Sequence, residues 1–198
     1  MIRSIAAALS KHWTKIGVIG EPDKETYQYG LELLISTFIN LVIMIGISIA
    51  FGHPLIVVPY LLAFIPFRLF AGGYHARNHL FCILFNALTY SVSCLIALHV
   101  KESTGILACV IESSVSLAVV FLFAPVSAKN KPLTQEEKKR NRMISLVIAL
   151  GFILLCITLY YAHKLGSPWC NMLFCGQMMA VVLLTIGKTE EGFSKKQF

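Results

Sequence analysis

Charge is what this chain has least of. Only 14% of its 198 residues are Asp, Glu, Lys or Arg, against roughly a quarter in an ordinary soluble domain. That scarcity excludes a water-soluble globule. Acidic residues are rarer still, ten against seventeen basic, for a net charge of +7. In a soluble protein such an excess suggests nucleic acid; here the cations fall in short segments between apolar runs, where they orient a chain in a membrane. No nucleic-acid partner is expected. Several catalytic signatures are missing too. The chain has no Gly-x-Ser-x-Gly, no His-Glu-x-x-His and no pair of intramembrane aspartates. No Cys-x-x-Cys or His/Cys spacing suggests a metal site, so neither metal nor cofactor is expected. An apolar signal segment followed by a small-residue cleavage site is also lacking, and nothing is expected to be removed from the N-terminus.

What is abundant is apolar: 57% of the residues are hydrophobic and the mean hydropathy is +0.73. Several runs approach the roughly 20 residues that cross a bilayer as a helix. The expected fold is an all-α polytopic membrane protein with about six transmembrane helices in a single domain, 1–198. The spans fall at about 31–51, 55–70, 79–100, 104–125, 143–163 and 171–187. Pro59 and Pro66 predict a kinked or discontinuous second span. Ahead of them, residues 2–19 read as an interfacial amphipathic helix. Ile2, Ile5, Leu9, Trp13 and Ile16 share an arc of about 100°, while Arg3, Ser4, Lys11 and Lys15 project elsewhere. Gly20, Pro22 and Asp23 break it. Residues 126–142 read as a polar, basic loop. Cys94, Cys109 and Cys156 lie inside apolar runs, as small buried hydrophobes do; a bridge between Cys170 and Cys175 is left open.

Basic residues set the orientation. With both termini cytoplasmic, only Lys101 and Lys164 of the seventeen fall outside, which satisfies the positive-inside rule. The boundary between the second and third spans is then cytoplasmic.

That boundary carries the chemistry. From Arg68 to Cys82 it holds two arginines, two glycines, two histidines and a cysteine. Irregular backbone and titratable groups at a membrane boundary are costly unless something uses them. A cysteine nucleophile needs its thiolate, which a nearby cation or a helix N-terminus favours. Asn78 is a candidate N-cap, placing Cys82 near the positive end of the third span. His75, seven residues earlier, would sit about 10 Å away along a continuous helix, too far for the roughly 3 Å contact of base and nucleophile. Gly72 and Gly73 are the permissive backbone that folds His75 back over Cys82. His79, three residues before Cys82, competes as the base within one continuous helix.

Arg68, Gly73, His75 and Cys82, at this spacing in a small basic polytopic chain, resemble the accessory gene regulator protein B (AgrB) family. These are bacterial membrane cysteine peptidases that mature autoinducing peptides in quorum sensing. The interfacial N-terminal helix and the Lys-rich loop after Ala124-Pro125 are similar as well. The resemblance favours His75, since His-x6-Cys is the family's spacing. It implies a short amphipathic AgrD-like propeptide as substrate, whose acidic C-terminal tail is cut off. Cys82 attacks the carbonyl, His75 serves as base and then acid, and a thioester forms that an internal thiol or hydroxyl displaces to give a thiolactone or lactone. A homodimer in the cell membrane is implied too. Arg68 neutralises propeptide carboxylates or anchors the junction; Lys129, Lys131 and the run from Lys138 to Arg142 attract the acidic tail or simply orient the chain. Glu32 or Asn86 are candidates to orient the imidazole. Glu112 with Ser113, Ser114 and Ser116 reads as a polar patch facing the bundle interior. The alternative function is a non-catalytic peptide exporter or export scaffold, suggested by the broken second span and by Glu112.

Overall fold

A computed structural model describes residues 2–74, 79–100, 102–126, 133–162 and 167–195, excepting the side chains of 102–108, Cys156, Tyr160 and 191–195. Among the described residues seven α-helices follow one another: α1 (Ile2–Lys15), α2 (Lys24–Ala50), α3 (Val57–Phe70), α4 (His79–His99), α5 (Glu102–Phe123), α6 (Gln135–Tyr161) and α7 (Pro168–Lys195). Four described stretches are long and apolar enough to cross a bilayer: Glu21–Ala50, His79–His99, Gln135–Leu159 and Pro168–Glu190. Val57–Phe70 and Cys109–Phe123 are shorter apolar stretches. The protein is an all-α membrane protein.

Glycine ends two of the helices. Gly17 and Gly52 have φ of 75° and 77°, which side chains with a Cβ rarely adopt. In each case the glycine N–H reaches back three residues and the next N–H five. Gly17 donates to Thr14 and Val18 to Trp13; Gly52 donates to Ile49 and His53 to Ser48. Both are Schellman caps.

α1 buries Ala6 and Ser10 while Ile5, Leu9 and Ile16 stay exposed. Three residues of the apolar arc thus face away from the protein, while Ile2 and Trp13 are half-buried, Trp13 beside Tyr27, Leu31 and Leu34 of α2. α3 runs unbroken through Pro66, not in two pieces, and Pro59 lies in its first turn, where an N–H has no helical partner anyway. α3 and α7 form the centre. Gly176 of α7 admits the Tyr60 carbonyl of α3, where any Cβ would collide. Around them, α2, α4 and α6 turn Leu34, Phe38, Leu84, Leu88, Val147 and Leu154 outward, an apolar surface suited to lipid and not to water.

Polar links also cross the interior. Ser48 of α2 and Tyr90 of α4 share a buried hydrogen bond of 2.6 Å. Buried Asn171, at the start of α7, donates to the Ala97 carbonyl of α4 at 3.1 Å.

The basic loop expected at 126–142 is shorter, because α6 begins at Gln135. Thr134 and Glu137 explain this. The Glu137 N–H donates to Thr134 Oγ1 at 3.2 Å and the Thr134 N–H to Glu137 Oε2 at 2.9 Å. That reciprocal pair is a capping box, which starts the helix eight residues before the apolar run. Arg142 on the first turns of α6 then donates to the Phe121 carbonyl at 3.0 Å and lies over the Phe121 ring, satisfying an orphan carbonyl near the end of α5. Likewise α7 continues past Gly187 to Lys195.

Candidate active site

Three elements meet beside Cys82: the end of α3, the turn that follows it, and the start of α4. Arg68 sits in the last turn of α3. Its Nη1 donates to the Gly72 carbonyl at 3.1 Å, and its Nη2 donates to the Tyr74 carbonyl. One guanidinium fork thus spans the turn, with an orientation an ammonium would not supply.

Both glycines of the turn have positive φ, 77° at Gly72 and 124° at Gly73. Space is as tight as the backbone is unusual. A Cβ on Gly73 would lie 2.7 Å from Arg68 Nη1 and 2.9 Å from the Leu183 carbonyl oxygen, and one on Gly72 would strike the Val126 carbonyl. The backbone is tied from two sides. Tyr74 N–H donates to the Leu183 carbonyl of α7 at 2.8 Å, and Val126 N–H donates to the Ala71 carbonyl at 2.9 Å. Gly187 of α7 leaves room for this, since a Cβ there would lie 2.5 Å from the Tyr74 nitrogen. Far from being slack, the two glycines are held against α7 and the segment after α5.

Cys82 stands in the first turns of α4 as a partly buried free thiol. Asn86, one turn on, donates its side-chain N–H to Sγ at 3.4 Å, and the Arg68 guanidinium lies within electrostatic reach of the sulfur. A cation and an N–H donor both suit a thiolate. Asn86 therefore contacts the thiol itself. Glu32, the other residue expected to orient an imidazole, is paired with His79: Nε2 lies 3.2 Å from Glu32 Oε2. Gln28 donates to the other carboxylate oxygen at 3.1 Å, and Arg3 of α1 is within electrostatic reach. His79 begins α4, so this pair links the start of the cysteine's helix to α2.

His75, Lys129 and Lys131 lie outside the described residues, as does Asn78. Cys94, Cys170 and Cys175 are free thiols, Cys175 partly buried and the other two buried, as Cys109 is. Glu112, Ser113 and Ser116 are buried as expected, while Ser114 is exposed. Leu183 and Gly187, which shape the turn, were not among the expected site residues. The signal for Gly187 was a glycine at the end of an otherwise apolar run; nothing in the sequence marked Leu183, whose contribution is a backbone carbonyl.

Fold and site define a class: polytopic helical membrane proteins with a cysteine at a glycine-bounded helix junction. The sequence profile described as "Accessory gene regulator B" matches residues 2–185. A putative AgrB-like protein 2 of Clostridium perfringens (strain 13) is 28% identical over 87% of this chain and 88% of its own length. A putative AgrB-like protein of Clostridium perfringens (strain SM101) is 32% identical over 70% and 69%. The accessory gene regulator protein B of Staphylococcus saprophyticus is 21% identical over 78% and 77%. No solved structure matches. The chain belongs to the accessory gene regulator B family of quorum-sensing membrane proteins.

Proposed function

We propose that this protein is a membrane cysteine endopeptidase that removes the acidic C-terminal tail of an AgrD-like propeptide and closes the remaining peptide into a ring. The observation that carries the reading is Cys82: a partly exposed thiol on the opening turns of α4, contacted by Asn86 and faced by Arg68. The Cys82 thiolate adds to the carbonyl at the end of the future signal. A histidine takes the thiol proton and returns it to the leaving amine, so the tail departs and a thioester remains on Cys82. An internal thiol or hydroxyl of the peptide displaces Cys82, giving thiolactone or lactone and the free enzyme. Exchange of one thioester for another is nearly balanced, so ring closure depends on keeping water from the acyl-enzyme. The site faces the cytoplasm, both termini lie on that side, and the working form is a homodimer.

His75 is the base that the family spacing favours. The pairing of His79 with Glu32 supports a second assignment. With Nε2–H donated to the carboxylate, Nδ1 is left as an acceptor, in the orientation a general base requires.

The test uses purified protein in lipid nanodiscs with synthetic propeptide and no transmembrane gradient. Cleavage and a hydroxylamine-sensitive acyl-enzyme are expected, and both disappear in Cys82→Ala. Cleavage by Cys82→Ala refutes the nucleophile, and no cleavage by the wild type supports a carrier. Loss in His75→Ala with activity kept in His79→Ala assigns the base to His75; the opposite pattern assigns it to His79.

A further inference from the structure

Away from the cysteine site, α5 carries an ionisable group in the protein interior. Glu112 is 8% exposed, and the ion pairs among the described residues do not include it. A carboxylate at membrane depth without a compensating charge is costly and marks function by default. Its neighbours are oxygens. Ser116 Oγ–H donates to Oε1 at 3.0 Å and Ser113 Oγ–H to Oε2 at 3.5 Å. Both serines are buried.

Gln177 of α7 supplies an independent observation. It is completely buried, and neither its Oε1 nor its Nε2 has a hydrogen-bond partner among the described residues. Leaving such atoms unpaired in the interior is costly. Packing places Gln177 level with the carboxylate. Phe174 packs with Cys109, and Ala180 and Leu184 share a cluster with Val120. The α5 and α7 residues thus rise in step. Gln177, between Phe174 and Ala180, therefore lies at the height of the stretch of α5 between Cys109 and Val120, on which Ser113 and Ser116 lie. The Glu112 carboxylate is within electrostatic reach of Cys175, two residues before Gln177 on α7.

We propose that Glu112, Ser113, Ser116 and Gln177 form an intramembrane site for a dehydrated monovalent cation of sodium's size. Hard cations with oxygens about 2.4 Å away hold neighbouring ligands roughly 3.4 Å apart, a spacing that the hydrogen-bonded Ser–Glu oxygen pairs, 3.0 and 3.5 Å apart, reach with little movement once the hydroxyls turn their lone pairs to the ion. The carboxylate neutralises the ion. Gln177 turns Oε1 to it and donates N–H to the carboxylate, so both unpaired atoms find partners. The site is separate from Cys82 and independent of the peptidase reading.

The test is thermal unfolding of the full chain in nanodiscs, followed by tryptophan fluorescence. Sodium chloride is titrated against choline chloride at constant ionic strength. A saturable rise of the midpoint with sodium is expected. Glu112→Gln loses it, Gln177→Leu raises the half-saturating concentration at least tenfold, and Cys82→Ala keeps the wild-type response. Equal midpoints in sodium and choline overturn the proposal, as does stabilisation by acid alone. If Glu112→Gln does not fold, Gln177→Leu decides, and an unchanged half-saturation overturns the site.

Discussion

Gly73→Ala perturbs the turn before Cys82 at its tightest point. The methyl would lie 2.7 Å from Arg68 Nη1 and 2.9 Å from the Leu183 carbonyl oxygen, on a backbone with φ of 124°. Holding a residue with a Cβ in so sparsely populated a conformation costs on the order of 1–3 kcal/mol. Relieving the overlap costs about as much again. At roughly 2–4 °C per kcal/mol for a chain of this size, the unfolding midpoint should fall by on the order of 10 °C. The loss of activity should be greater than this implies, because relief comes from moving Arg68 or lifting Tyr74 off α7. A displacement of about 1 Å near a reacting group can cost around a hundredfold in rate. Gly46→Ala is the control. It lies within α2, a Cβ there meets nothing within 4 Å, and alanine favours a helix over glycine by about 1 kcal/mol. Both variants are measured by thermal unfolding in nanodiscs and by propeptide cleavage at a temperature where each remains folded. If Gly73→Ala unfolds and cleaves as the wild type does, the turn is not clamped and the reasoning fails.

Arg68→Lys keeps the charge but loses the fork that reaches both Gly72 and Tyr74. It should lower the unfolding midpoint by several degrees, from the loss of about 1.5–3 kcal/mol in charge-assisted hydrogen bonding, and reduce cleavage; an unchanged midpoint would show that charge alone suffices. Thr134→Ala removes the capping box of α6, at a cost of about 0.5–2 kcal/mol. Hydrogen exchange should then rise at residues 135–138, while the cleavage rate stays within about twofold. Tyr90→Phe leaves Ser48 without its partner across α2 and α4, so a midpoint loss equivalent to about 1 kcal/mol is expected; a stabilised variant would show that the bond contributes nothing.

The helices were legible because membrane spans depend on a property that composition reports directly. An apolar run of sufficient length becomes a helix in lipid, where every N–H and C=O must be paired. Glycine and proline marked the breaks, as at Gly52 and Pro54. The errors arose where hydropathy was asked to set a helix boundary. Residues 135–142 are polar enough to read as loop, yet Thr134 and Glu137 begin a helix there, and the capping box was present in the sequence as Thr-x-x-Glu. For Arg142 the sequence offers attraction of the acidic tail or orientation of the chain, and its bond to the Phe121 carbonyl is not legible because that acceptor belongs to another helix.

The site divides along the same line. Cys82 and the two glycines stood out because their residue types are rare at a membrane boundary. What holds the glycines in place could not be read, since the partners are backbone atoms whose side chains are irrelevant to the contact. Leu183 would serve as well with any apolar side chain, and only Gly187 left a trace. This bears on the chemistry proposed for the turn. A histidine delivered by a freely hinged loop would reach the thiol only part of the time. A turn tied to α7 by the Tyr74–Leu183 bond, to the segment after α5 by the Val126–Ala71 bond and to α3 by Arg68 holds Tyr74, the residue before His75 in the chain, in one place. Near-attack geometry is worth several kcal/mol when it is set before the substrate arrives. Glycine is therefore needed here because only it fits a rigid, crowded turn, and lengthening the turn by one glycine after Gly73 should abolish cleavage even though it adds flexibility. Retained cleavage in that insertion variant, measured against propeptide in nanodiscs, would return the glycines to the role of a hinge.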